Sequence, residues 1–123
     1  MADAVIEGYE LVLRLSWLER VGALHGDVRV PLTAVRRVRV APHPWQELRG
    51  IRAPGTGFPG LICLGTQRGG FGKDFTAVYL DRPAVVIDLD QVEFERLIVS
   101  VHNPQATAAR VPVQSGQPAG GQG

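Results

Sequence analysis

The side chains able to do chemistry in this sequence are few, and their spacing is not catalytic. His25, His43 and His102 are far apart: one follows a helical stretch, one precedes Pro44 and one precedes a helix start. None has a second His or a carboxylate at i+4 or at another metal-ligand spacing, so all three read as solvated loop or capping residues. Cys63 is the one cysteine, which excludes an internal disulfide and a multi-cysteine metal site. It lies in Leu61-Ile62-Cys63-Leu64, where a free thiol behaves as a small hydrophobe. Asp74, Asp81, Asp88, Asp90 and Glu93 form no pair at a catalytic spacing. Most fall at expected hairpin ends, where carboxylates cap turns. No catalytic residue, metal or cofactor is expected.

Anion recognition is the one sharper chemistry the residues suggest. Gly55-Thr56-Gly57 could bring backbone N–H groups close to an anion, and Arg49 and Arg52 stand just before it. The Lys-Ser/Thr of a P-loop is missing, and no helix follows, so turn geometry explains the glycines better. Arg49, Arg52 and Thr56, joined by Arg37 and Arg39, are the candidate contacts for an anion or a partner. The Arg36-Arg37 and Arg39 run also reads as a solvated strand face that discourages edge pairing. Twelve of the thirteen basic residues are Arg, a bias that genome composition explains, and the formal net charge is only +1. No global field draws in nucleic acid or an anionic membrane.

These residues need a scaffold, and the scaffold reads as β. The stretch Arg49–Thr66 holds two turn signals, Pro54-Gly55 and Pro59-Gly60, and is expected to form a shaped loop running into an apolar strand. Before it, alternation from Tyr9 to Leu15 predicts a half-buried strand. Ser16 and Glu19 fit a capping box, with a short helix from about Trp17 to His25 stopped by Gly26; a second strand running on through Val21 is the competing reading. Strands follow at 27–30 and 35–40, with Val38 and Val40 on one face and Arg37 and Arg39 on the other. Pro44 opens one helical turn. Further strands are expected at 74–80, 84–89 and 94–101, after a flexible Gly-rich hairpin loop at 67–72. Asn103-Pro104 opens a helix of about two turns. Residues 1–8 are expected to be a loose N-terminus, 9–111 one domain and 112–123 a disordered Gly/Gln/Pro tail. About seven short strands with one terminal helix argue a mainly β sandwich or barrel.

The segments VRVPLTAVRRVRV, Pro54–Thr56, Pro59-Gly60, Gly65-Thr66, AVVIDL and RLIVSVHNPQATAA together resemble the bacterial pleckstrin-homology-like domains of small actinobacterial proteins. The resemblance spans about residues 10–111. It implies a partly open barrel of two roughly orthogonal antiparallel sheets, with a C-terminal helix capping one end. It implies a binding or assembly role and no enzymatic activity. The phosphoinositide-binding relatives carry a basic pattern across the first strand and its loop, where this sequence has only Arg14 and Arg20.

The expected function is therefore a non-enzymatic binding or scaffold module with a protein partner, which could be a second copy added at a sheet edge. Its expected contact surface is the loop Arg49–Pro59 together with an exposed sheet edge. The alternative is a small ligand, anion or phospholipid headgroup, or an enzyme's substrate, held at the barrel mouth by that loop. Nucleic acid and membrane are not expected partners. With no signal peptide and no apolar run of spanning length, the expected location is the cytoplasm.

Overall fold

Alternating apolar residues build two sheets that share one core. The computed structural model describes residues 1–58, 62–79 and 82–113. In chain order the elements are β1 (Asp3–Glu7), β2 (Glu10–Arg14), α1 (Trp17–Ala23), β3 (Val28–Pro31), β4 (Val35–Ala41), β5 (Ile51–Phe58), β6 (Ile62–Gly69), β7 (Gly72–Tyr79), β8 (Ala84–Leu89), β9 (Arg96–Ser100) and α2 (Pro104–Arg110). Single turns of 3-10 helix lie at Leu32–Ala34 and Pro44–Glu47. The small sheet has the order β1-β2-β3, and the large one β4-β8-β9-β7-β6-β5. Neither closes on itself, so the architecture is a mixed α/β arrangement of two open sheets with a C-terminal helix.

Period-two patterning decides which side chains enter the core. Leu11, Leu13, Val28 and Val30 of the small sheet meet Leu64, Phe75, Val85, Ile87, Leu97 and Val99 of the large one. The opposite face of the large sheet is also covered: Ala41, Cys63, Val78, Ala84, Val86 and Ile98 form a second cluster under Trp45 and Leu48. Helix α1 packs on β5 and β6, and α2 packs on β4 and β8. Among the described residues, no helix is long and apolar enough to cross a membrane.

Several expectations change. Residues 1–8 are not loose: β1 pairs antiparallel with β2 through a turn in which Gly8 takes a left-handed φ of 62°. Burial of Ala2 and Ala4 holds it there. The count rises from about seven strands to nine among the described residues, and β7 pairs in parallel with β9, so the large sheet is not wholly antiparallel. The Gly-rich stretch at 67–72 is not a flexible loop: residues 67–69 belong to β6 and Gly72 to β7, leaving only Gly70 and Phe71 as a tight turn.

The largest change concerns the stretch expected as a shaped loop. Residues 51–58 are instead β5, an edge strand paired with β6, with a register shift between Arg52 and Gly55. An edge position and a bulge are where a sheet accepts Pro54, which cannot donate to a ladder. Pro59, Gly60, Leu61 and Asp81 lie outside the described residues, as do 114–123 of the expected tail.

A bulge also explains why β4 turns Val35 as well as the partly buried Val38 toward the core. Strict alternation would put Val35 with Arg37 and Arg39, but the register shifts between Val35 and Arg37. The extra residue, Arg36, turns to Asp90 at the strand's start.

Candidate interaction surface

Of the arginines proposed from sequence, Arg37, Arg39 and Arg49 gather on the outer face of the large sheet, and carboxylates accompany them. Cross-strand register sets Asp88, Arg96 and Asp74 side by side on β8, β9 and β7. Arg96 Nε donates to Asp88 Oδ1 at 2.7 Å. The Arg37 Nε lies 3.6 Å from the other Asp88 oxygen. Arg39 Nη2 donates to Glu47 Oε1 at 2.6 Å, and Arg96 Nη1 approaches the same oxygen at 4.0 Å. The hydrogen bond from Arg39 holds the Glu47 carboxyl below its ordinary pKa, and the same bond raises that of Arg39.

Arg49 is the most committed of the set. Its Nε and Nη2 donate to the two oxygens of Asp74, at 2.6 and 3.0 Å, and the Asp74 side chain is wholly buried. The guanidinium also stacks 3.9 Å from the centre of the Phe71 ring. The bidentate bond to Asp74 raises the Arg49 pKa, burial opposing it. Such a fork is a structural fit that an arriving anion would have to break. Arg52 and Thr56 are positions of β5 paired with Gln67 and Leu64; their side chains lie outside the described residues. Arg37 keeps its side chain mostly in solvent, with Asp88 as a loose partner.

This ionic row is tied down by a strap. Residues 42–50 leave β4 at one edge of the large sheet and reach β5 at the other, crossing its outer face. Trp45 and Leu48 press on the second apolar cluster. Glu47 meets Arg39 and Arg96, and the Arg49 carbonyl accepts from Gln67 Nε2 at 3.1 Å. The row therefore serves to hold the strap onto the sheet.

The histidines do not converge. His25 packs its ring against Phe75 and Phe94, with centroids 5.3 and 5.7 Å apart, rather than standing in solvent. His43 and His102 are exposed. No group of His, Cys, Asp or Glu among the described residues could hold a metal ion.

Helix α1 turns its faces against expectation for an amphipathic helix. Ser16 caps it as expected: its Oγ accepts from Glu19 N, and Glu19 Oε1 accepts from Ser16 N at 2.8 Å. The other Glu19 oxygen accepts from the Tyr79 hydroxyl at 2.6 Å, and Glu19 is fully buried. Burial first, and then this hydrogen bond, raise the Tyr79 pKa. With Glu19 and Ala23 turned inward, the opposite face carries Trp17, Leu18, Val21 and Leu24. Their exposures are 72, 69, 54 and 69%. At 100° per residue these four fall within one stripe about 120° wide. The helix is inverted: Glu19 is inside and the apolar stripe is in water, with Arg20 exposed at its margin.

The helical spacing of Trp17, Val21 and Leu24 was readable from the sequence, but the direction of that face was not. A buried Glu at the third helical position left no local signal distinct from a capping box. Comparisons of this chain with protein-family models, with curated proteins and with solved structures return no match.

Proposed function

We propose that this chain is a non-enzymatic binding or assembly module whose docking surface is the exposed face of α1. The observation that carries the reading is the inversion of α1. Four large apolar side chains stand together in solvent, while the helix's own Glu19 is buried. Scattered exposed apolar residues are ordinary, but a contiguous patch on a small domain is where partners dock. The two open sheets with a C-terminal helix agree with the pleckstrin-homology-like resemblance, although the parallel β7–β9 pair departs from it. Anion or headgroup binding at the arginines is the weaker alternative. Arg49 is committed to a buried carboxylate, and one loosely held Arg37 contributes only about 1 kcal/mol beside an anionic surface.

A photo-crosslinking residue placed at Leu18, and separately at the exposed hairpin residue Tyr9, tests this in the native host. The expected result is a discrete adduct from position 18 that Val21→Glu abolishes, and none from position 9. Equal labelling at both positions would remove α1 as the docking surface.

A further inference from the structure

We propose that the partner of the α1 face is a second copy of this chain, docked α1 against α1 about a two-fold axis through Val21. This rests on the reading of α1 as a docking surface and adds the identity of the occupant. A two-fold contact sets each patch against itself, so the patch must be self-complementary. The α1 stripe meets that condition because it bears no net charge. Its flanking cations are already neutralised: Arg20 Nη2 lies 3.0 Å from Asp27 Oδ1, and Arg14 pairs with Glu7. With Val21 on the axis, Leu18 of each copy faces Leu24 of the other, three residues to either side.

The size of the patch agrees. Taking about 100 Å² for an aliphatic side chain and about 200 Å² for Trp, the exposed fractions leave on the order of 350 Å² of apolar surface per copy. Two copies bury about 700 Å² through these four residues alone, and the polar rim brings the total toward the ~1,000 Å² at which weak, reversible dimers begin. Other occupants fit less well. A lipid surface would be expected to engage free cations beside the stripe, and Arg14 and Arg20 already have partners. The chain's own residues 114–123, QSGQPAGGQG, offer only Pro118 and Ala119 as apolar groups. The β5 edge is a poorer dimer contact than α1, because Pro54 and the bulge interrupt its ladder.

Sedimentation equilibrium of the full chain from micromolar to near-millimolar concentration decides the matter. The wild type is expected to move reversibly from monomer to dimer with rising concentration. Val21→Glu places two carboxylates at the axis and should leave a monomer throughout, at least about a hundredfold weaker in association. Leu24→Gly suits the local backbone, so it keeps the fold, and it should weaken association about tenfold. Tyr9→Ser, far along the hairpin, should match the wild type. A wild type that stays monomeric overturns self-docking, as does a dimer that Val21→Glu leaves intact. If the monomeric chain still gives a Val21-dependent adduct with another protein, or binds neutral vesicles through α1, the docking reading stands and the second copy falls. If neither association nor an α1 adduct is found, both fall.

Discussion

Glu19 accepts two fixed hydrogen bonds, and Tyr79 supplies one of them. A buried acceptor that loses its donor carries a desolvation penalty of about 1–3 kcal/mol. Tyr79→Phe is therefore expected to lower unfolding stability by that amount near neutral pH, as measured by urea denaturation. The pH dependence should change as well. Burial and Glu19 raise the folded Tyr79 pKa above the ordinary ~10 of the unfolded chain. Above that ordinary value the unfolded chain gives up this proton while the folded chain keeps it. The folded state then binds more protons, so stability is fully present below about pH 10 and falls as pH climbs beyond it. Tyr79→Phe should lack that part of the alkaline decline. Parallel curves for the two proteins would show that the phenol is not shifted by its buried site.

At the scale of the element, α1 ends in a way its sequence does not favour. Leu24 N–H donates to the Val21 carbonyl at 3.2 Å and His25 N–H to that of Arg20 at 3.1 Å, the two bonds of a Schellman turn. The residue in the left-handed position is Leu24, at φ 53° and ψ 45°, and not the Gly26 expected to stop the helix. A side chain other than Gly or Asn pays roughly 1–2 kcal/mol there. Leu24→Gly is thus expected to raise stability by about 1 kcal/mol, or about 4–8 °C in Tm for a domain near this size. Calorimetry checks it, and an unchanged or lower Tm would show that the Leu24 side chain contributes packing that offsets the strain. A stabilised variant with weaker association would separate the cost of the turn from the use of its side chain.

At the scale of the whole molecule, the strap connects the two edges of the large sheet. Six strands set about 4.8 Å apart span about 24 Å. Nine residues that include a 3-10 turn have little slack over that distance. The far end of the strap is fixed by Arg49 on Asp74 and by Gly50, whose φ of 79° favours Gly. A Cβ at Gly50 would also land on the Arg68 backbone carbonyl. Removing Arg49 leaves the buried Asp74 carboxylate without its cation. Arg49→Ala should cost about 3 kcal/mol, the low end of the ~3–5 for broken buried pairs, because Arg49 is partly exposed. Arg49→Lys should recover only part of it, since an ammonium provides neither the fork nor the stacking on Phe71. Urea midpoints measure both. A loss below about 0.5 kcal/mol for Arg49→Ala would mean that the pair is screened like a surface bridge.

Local chemistry determined much of this chain by itself. Ser16 and Glu19 capped α1, Asn103 and Pro104 opened α2, and alternation placed Arg37 and Arg39 opposite Val38. Each of these depends on neighbours within a few residues, so their spacing carries the signal. Tertiary structure decided the rest. Whether residues 51–58 formed a loop or an edge strand depended on β6 offering a ladder that could take Pro54 at a bulge. Whether Arg49 faced an arriving anion or a carboxylate of its own chain depended on Asp74, twenty-five residues away, standing beneath the strap. Which face of α1 met water depended on Tyr79, sixty residues on, offering its hydroxyl to Glu19. Helical periodicity shows that an apolar stripe exists, but a partner distant in sequence fixes the direction in which it points.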